Sequence, residues 1–279
     1  QKTGTTDPNP SYTSVFTVVF NEAIDSNTFT NTDITLGGTA PGQTIQSITE
    51  AGAFNKTTYE VRIQATGAGT IIPTIAQELI TAQSNNTNTN QASSSSDNTV
   101  TYDGTYAPNE FVTTWKTDNP GISASNQITI PTHWTGGYNY NVDWGDSTTS
   151  SNQTGDSTHT YSTPGTYTVK ISGTFPRIHF GKGVSDYIKI LTVEQWGSNP
   201  WTSMNESFYF PYNLTIPAID APNLSNVTDM SSMFSKATSL NQSLNHWDVG
   251  NITNMSRMFN EASTFNQSLN NWNTSNVTN

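Results

Sequence analysis

Residues 226–250 read NVTDMSSMFSKATSLNQSLNHWDVG, and residues 251–275 read NITNMSRMFNEASTFNQSLNNWNTS. The two stretches are identical at 13 of 25 positions, and a third, truncated copy opens with NVTN at residue 276. A fixed period of this length is the signature of a repeat architecture, in which each copy packs against its neighbours. The repeat therefore decides the fold expected for residues 176–279.

The first half of each copy predicts a short helix. Met230, Met233 and Phe234 follow the i, i+3, i+4 spacing of one apolar helix face. Thr228 and Thr253 stand where N-cap residues are expected. The second half, LNQSLNHW in residues 240–247 and FNQSLNNW in residues 265–272, should then carry the strand, with Leu244 and Leu269 facing inward.

Weaker copies precede the two clear ones. ILTVEQW (190–196) and TIPAIDAP (215–222) align with the strand half of the repeat. Residues 176–225 are therefore expected to hold degenerate first units, as terminal units of repeat proteins are often atypical.

A strand-plus-short-helix unit of this length belongs to the leucine-rich-repeat size class. The pattern NVTxMxxMF…LNQSLNxW resembles that of BspA-type leucine-rich-repeat surface proteins, and the resemblance covers the chain from about Phe111 to its end. It implies a solenoid on an extracellular, cell-surface protein of bacteria or host-associated microbes, often linked to adhesion. It does not imply a particular ligand.

The middle segment, residues 107–175, contains Trp144-Gly145-Asp146, His159-Thr160-Tyr161 and Pro164-Gly165-Thr166-Tyr167-Thr168-Val169. These motifs resemble a PKD domain, which implies a small β-sandwich, although Ser147 stands where that family usually has glycine. Asp143 and Asp146 could form half of a calcium site, but a carboxylate in a turn more often bonds the backbone two residues on. We favour the turn interpretation, and we expect His159 to be structural.

The first segment, residues 1–106, alternates polar and apolar residues in TSVFTVVF and TTYEVRIQA. About seven short strands separated by turn signals are typical of an immunoglobulin-like sandwich. The segment resembles the bacterial Ig-like modules of surface proteins. The predicted fold is thus mainly β, with two β-sandwich domains followed by the repeat solenoid.

Composition excludes several classes of function. The net charge is −11 with only 10 Lys and Arg residues, so no cationic face is expected for nucleic acid or for an anionic membrane. The absence of cysteine excludes disulfides and thiolate chemistry. No catalytic set can be assembled around His133, His159, His179 and His246, and no metal site or cofactor is predicted; calcium in loops between domains is possible but not indicated.

Ligand contact is expected where the copies differ rather than where they agree. Trp247 above Trp272, with Asn241 above Asn266 and Asn245 above Asn270, could form a sugar-binding stripe, but residues kept in every copy are more simply internal structure. Variable positions should be exposed and available to a ligand. The candidate binding residues are Asp229, Ser232, Lys236, His246, Arg257 and Glu261.

These observations predict a non-enzymatic surface or secreted protein that binds a protein or glycan of a host or neighbouring cell through the repeats, with the sandwiches as spacers. Self-association is the alternative, in which the chain is a structural subunit of an extracellular filament or surface layer. A third hypothesis makes it an ancillary region of a polysaccharide-degrading enzyme.

Overall fold

The computed structural model describes residues 12–51, 55–84, 87–94, 98–102, 104–181, 183 and 185–279. The chain divides into two compact units, residues 1–108 and residues 109–279. It is mainly β, because the helical segments in the described residues are two 3-10 turns, Ser26–Thr28 and Asn31–Asp33. None of the described residues belongs to a helix of the length and apolarity needed to cross a membrane.

Two three-stranded antiparallel sheets form the first unit, in the orders β1-β4-β3 and β2-β5-β6. Their apolar positions alternate along the strands, so that Val61 and Ile63 on β4 and Ile71 on β5 are buried in one core. The strands are β1 Thr13–Val19, β2 Ile34–Gly37, β3 Thr44–Glu50, β4 Thr58–Gln64, β5 Gly69–Ile75 and β6 Val100–Tyr102.

The second unit contains a five-stranded sheet, ordered β10-β9-β12-β7-β13, and a two-stranded ribbon, β11-β8. The edge strand β13 pairs with β7 across a long stretch of sequence, so residues on both sides of position 175 build one sheet. The strands are β7 Phe111–Lys116, β8 Gln127–Ile130, β9 Asn139–Asp143, β10 Thr149–Gln153, β11 Ser157–Thr160, β12 Thr166–Thr174 and β13 Ile190–Gln195.

The turn between β9 and β10 is held by the two aspartates that the sequence singles out. Asp143 Oδ1 accepts a hydrogen bond from the backbone N–H of Gly145 at 3.0 Å, and Asp146 Oδ1 accepts one from that of Thr148 at 3.1 Å. His159 Nε2 lies 2.8 Å from Asp146 Oδ2, and its ring stacks on Trp144. Both carboxylates thus bond the backbone two residues on, as expected of turn residues.

Residues 190–196 of the degenerate first units carry β13, but the two clear copies, residues 226–275, contain neither a helix nor a regular strand. Instead, alternate backbone N–H groups of one copy donate to carbonyls of the next copy, and the bonds repeat between two successive pairs of copies. Met204, Glu206, Phe208 and Phe210 donate to Asp229, Ser231, Met233 and Ser235 at 2.9–3.0 Å, and Met230, Ser232, Phe234 and Lys236 donate to Asn254, Ser256, Met258 and Asn260 at 2.8–2.9 Å.

Turn geometry explains why the predicted helix does not form. Met233 N–H bonds Met230 C=O, and Ala237 N–H bonds Phe234 C=O, which closes two successive turns. Their third residues, Ser232 and Lys236, have φ of 53° and 62°. An α-helix needs negative φ throughout, and its N–H groups bond carbonyls four residues back rather than three. The prediction of a helix at Met230–Phe234, with N-caps at Thr228 and Thr253, was therefore wrong.

The predicted strand in the second half of each copy is absent as well. Side-chain amides replace the strand ladder there: Asn241 Oδ1 accepts from Asn266 N–H and Asn245 Oδ1 from Asn271 N–H, each at 2.9 Å. A solenoid of strand-plus-helix units is thus not formed. Apolar side chains are still gathered inside, because Leu244 is buried and Leu269 half-buried.

The predicted pair of sandwich domains is corrected too. The described part of the first unit has six strands in two small sheets, where the prediction required about seven in one immunoglobulin-like arrangement. In the second unit, the strands that carry the PKD-like motifs do not form a self-contained sandwich. β13 is added to their sheet, and β8 and β11 form a separate two-stranded ribbon. Several small antiparallel sheets describe the fold.

Candidate functional site

The six candidate binding residues of the repeat do not converge on one cavity. Arg257 and Glu261 are exposed, whereas the other four are half-buried. Four of the six occupy left-handed backbone positions, with φ between 53° and 62°. These four are Ser232, Lys236, Arg257 and Glu261.

Contacts within and between copies engage several of these side chains. Asp229 Oδ1 accepts bonds from the backbone and hydroxyl of Ser231, and His246 Nε2 lies 3.1 Å from the carbonyl of Asp220. Lys236 Nζ lies 3.7 Å from Glu261 and 4.4 Å from the ring centre of Phe210. The variation between copies at Lys236 and Glu261 therefore creates an ion pair between neighbouring copies. Ligand binding by these positions stays a prediction.

The repeated tryptophans face the interior, whereas the repeated Asn241, Asn266 and Asn270 are exposed. Trp247 is buried and packs edge-on against Trp196, with ring centres 5.2 Å apart. Trp272 is half-buried and donates from Nε1 to the carbonyl of Leu244 at 2.9 Å. A ligand therefore finds no exposed stripe of tryptophan along these copies.

An open groove of about 460 Å³ lies elsewhere in the second unit. Its lining surface is mainly apolar and nearly uncharged, but it includes several hydroxyl and amide side chains and a single charged residue, Arg177. The hydroxyl and amide groups belong to Thr135, Tyr138, Thr174, Thr202, Ser203 and Asn226, and the backbone of Gly136-Gly137 completes one wall.

Trp134 is not a lining residue of this groove, but it directly precedes the lining residues Thr135–Tyr138 in the sequence. All seven tryptophans lie in the described part of the chain, and Trp134, at 74% exposure, is the one whose side chain is mainly open to solvent. Its ring packs on His133, with ring centres 3.9 Å apart and planes tilted by 31°. The histidine thus supports the indole while leaving most of its surface exposed.

The loop that carries Trp134 is anchored at both ends. His133 N–H donates to the hydroxyl of Tyr138 at 2.8 Å, and this hydroxyl donates to the carbonyl of Arg177 at 2.9 Å. Gly136 and Gly137 have φ of 77° and 84°, which non-glycine residues adopt at a cost, and a Cβ at either would meet no atom within 4 Å. Glycine is therefore needed there for backbone conformation.

Arg177 is fixed by one end of its guanidinium. Nη2 donates to the carbonyl and to Oδ1 of Asn205, both at 2.7 Å, and lies 3.2 Å from Nδ1 of His179. Burial lowers the pKa of Arg177 from its ordinary value, but nearby carboxylates such as Glu206 oppose that shift. An arginine starts so far above neutrality that it keeps its charge.

Two histidines lie under the tryptophan. Nδ1 of His179 lies 3.2 Å from Nη2 of Arg177, and its Nε2 faces the opposite side of the ring. That nitrogen is 4.0 Å from Glu206 Oε2. The rings of His133 and His179 meet edge to face at 4.9 Å. Among the described residues, no group of three His, Asp or Glu side chains is arranged to hold a metal ion.

A larger cleft of about 950 Å³ occurs in the first unit. Its lining combines apolar residues of β1, such as Phe16 and Val18, with threonine and asparagine side chains, and Glu22 is its one charged residue. It contains no cation, whereas Arg177 lines the smaller groove. The smaller groove in the second unit therefore offers the more specific chemistry.

Comparison with known proteins gives one partial match. Residues 182–279 are similar to a family described as Mycoplasma protein of unknown function, DUF285. The match spans 98 of the 279 residues (279 − 182 + 1) and contains both clear repeat copies. No curated protein and no solved structure matches the chain.

This result corrects the resemblances drawn from the sequence. Neither a leucine-rich-repeat family of the BspA type nor a PKD or Ig-like domain is found, and the family model that matches covers the repeats without defining their function. The motif Trp144-Gly145-Asp146 was misleading because it encodes a strand end and a tight turn, which many β proteins need.

Sequence reasoning missed the groove. The stretch HWTGGY (133–138) carried a usable signal, since a tryptophan next to a glycine pair in a predicted loop is poorly placed to join a core. Arg177 and Asn226 gave no signal, because their proximity to this loop depends on the tertiary fold.

Proposed function

We propose that this protein is a non-enzymatic binding protein that recognises a saccharide at the groove beside Trp134. The observation that carries the proposal is the 74% exposure of Trp134 next to a groove lined by hydroxyl and amide groups. A sugar ring has an apolar C–H face and a rim of hydroxyls. An exposed indole covers the first, and side chains that donate and accept hydrogen bonds match the second.

The energetic case is consistent with recognition rather than core packing. Leaving an indole mainly in water forgoes the stabilisation that the other tryptophans gain by burial, which is about 25 cal/mol per Å² of apolar surface. Support by His133 orients the ring in advance, so a ligand does not have to order it. We place the protein at the cell surface or outside the cell, where it would contribute to adhesion to a glycan of another cell.

The test is saccharide binding by the full chain and by Trp134→Ala. Binding to a glycan array followed by calorimetry of the best ligand should show at least about a fivefold loss of affinity in the variant, as stacking of one ring is worth about 1 kcal/mol or more. The matched control is Tyr212→Ala, which removes an aromatic side chain that is 36% exposed and does not line the groove. Equal affinity of Trp134→Ala and the unaltered protein would refute the proposal.

A further inference from the structure

The groove carries one formal charge on its walls, and that charge is positive. Arg177 is its single charged lining residue, in a protein whose net charge is −11. A cation kept at a ligand site on an otherwise acidic molecule has to be explained by its surroundings or by its ligand. We infer that the saccharide bound beside Trp134 is anionic, carrying a carboxylate or a sulfate that pairs with Arg177. This inference rests on the proposed function.

One terminal nitrogen of the guanidinium, Nη2, is held by the protein, and the other, Nη1, is not. Nη2 contacts Asn205 and His179, and these contacts use both of its N–H groups. Within the described residues, Nη1 makes no hydrogen bond, and the side chain lines the groove. Nε is buried, so a guanidinium anchored at Nη2 presents its Nη1 donors with little loss of side-chain entropy, which suits a carboxylate or sulfate oxygen.

Nearby carboxylates have other partners. Asp229 Oδ1 accepts two bonds from Ser231, and Glu206 lies toward His179. Neither Asp229 nor Glu206 lines the groove. They lower the local potential without occupying the ligand position, so we expect selectivity for an acid group combined with modest affinity.

Neutral groups around Arg177 can bind the rest of an acidic sugar. Thr174, Thr202 and Ser203 contribute hydroxyls, and the exposed amide of Asn226 both donates and accepts. With Trp134 as the stacking surface, these groups distinguish an acidic saccharide from a simple inorganic anion, which would need only the arginine.

The experiment uses the full chain and pairs of ligands in which one member is acidic and the other is neutral. The pairs are a galacturonic acid trisaccharide and its methyl ester, sialyllactose and lactose, and sulfated and unsulfated lactose. For at least one pair we expect the acidic member to bind about tenfold more tightly, because a charge-assisted bond is lost with the charge. The first two pairs report a carboxylate and the third a sulfate, so the preferred pair identifies the acid group.

Variants then assign the selectivity to the two side chains. Arg177→Gln should abolish the preference for the acidic member, Arg177→Lys should keep part of it, and Trp134→Ala should weaken both members equally. Because Arg177 has structural contacts, the comparison within each pair on the unaltered protein decides the matter even if Arg177→Gln unfolds.

Failure of the two proposals looks different. Equal affinity for acidic and neutral members, with loss of both in Trp134→Ala, would overturn the anionic ligand and leave the saccharide function standing. Lack of binding to every member of the three pairs would count against both proposals. Binding of inorganic sulfate as tightly as the sulfated sugar would also overturn the inference.

Discussion

Lys189 is fully buried, which is rare for a lysine and demands partners. Its Nζ lies 2.8–3.0 Å from four acceptors: the carbonyls of Ser123, Ala124 and Gln127 and the hydroxyl of Ser123. Asp186 accepts from the same hydroxyl at 2.6 Å. Burial lowers the pKa of Lys189, and the charge of Asp186 opposes this shift. This cluster ties the loop before β8 to the segment before β13.

Replacing this lysine should be costly. Lys189→Met removes a buried donor from three partly buried carbonyls and leaves Asp186 without its neighbouring cation, so we expect the free energy of unfolding to fall by about 3 kcal/mol. Urea denaturation measures the change. Lys116→Met is the control, because Lys116 pairs with Asp118 near the surface and should matter little. Similar losses in both variants would contradict the role given to Lys189.

The pair Asp146–His159 predicts an acid-dependent stability. Burial raises the pKa of Asp146, but hydrogen bonds from Thr148 and His159 outweigh it and hold this pKa below its ordinary value. The bonds of the ionised carboxylate therefore stabilise the fold above the ordinary value of about 3.9 and are lost as the pH falls through the lower, folded-state value.

Urea midpoints measured from about pH 5 down to pH 2 should fall more steeply for the unaltered protein than for Asp146→Asn, which has no carboxylate to protonate. The control is Asp248→Asn, whose side chain is exposed and lies outside the packed turn. Parallel curves for the unaltered protein and Asp146→Asn would show that this pair does not contribute.

At the scale of elements, the repeat is built from turns whose third residue has positive φ. Non-glycine residues pay about 1 kcal/mol for this conformation, and β-branched residues pay more. The same backbone position holds Glu206, Ser232 and Arg257 in successive copies. Chemically different side chains occur at one strained position because the backbone bonds to the next copy, rather than side-chain packing, define the turn.

Arg257 gives a clean test of this turn. It is exposed and has φ of 56°, so Arg257→Gly should raise the free energy of unfolding by about 0.5–1 kcal/mol, whereas Arg257→Val should lower it by at least about 1 kcal/mol. Thermal unfolding compares the two. Ser263→Gly, at an exposed position outside the positive-φ set, should not stabilise. A helix at this position would reverse the sign of the glycine effect.

These turns also show how much of the fold could be predicted from the sequence. Alternating strands such as β1 and β4 and the turn role of Asp146 were visible in pattern and spacing, because local sequence determines both. Met230, Met233 and Phe234 are buried as their apolar character suggests, but a period of three and four residues fits consecutive turns as well as a helix. What separates the two is the bonding between copies, which a single copy cannot reveal.

The site shows the same limit at longer range. Trp134 is identifiable as an unusual loop residue, while Arg177, Ser203 and Asn226 lie far from it in the sequence and reach the groove through the fold. Family resemblance did not help, since the motifs that suggested it encode turns and strand ends. The chemistry of each residue could be inferred from the local sequence, but the way these residues come together in the fold could not.

For the whole molecule, the division into residues 1–108 and 109–279 predicts separable behaviour. Both the groove and Trp134 lie in the second unit. A fragment of residues 109–279 should therefore bind the saccharide with the affinity of the full chain, and a fragment of residues 1–108 should not bind it. Calorimetry with the ligand found for the full chain tests both fragments, and circular dichroism checks that each is folded. A folded second fragment without binding would place recognition elsewhere.

The bonds between copies have a consequence for how the chain folds. Each set joins residues that are 24 or 25 positions apart, as in Met230 to Asn254 and Met204 to Asp229. The entropy lost in closing a loop grows with its length, and here every closure has nearly the same length. Adding a copy thus lengthens the protein without requiring a longer loop to be closed. The mean sequence separation of contacting residues therefore stays the same. Gene duplication could lengthen such a chain without slowing the search for its native pairing.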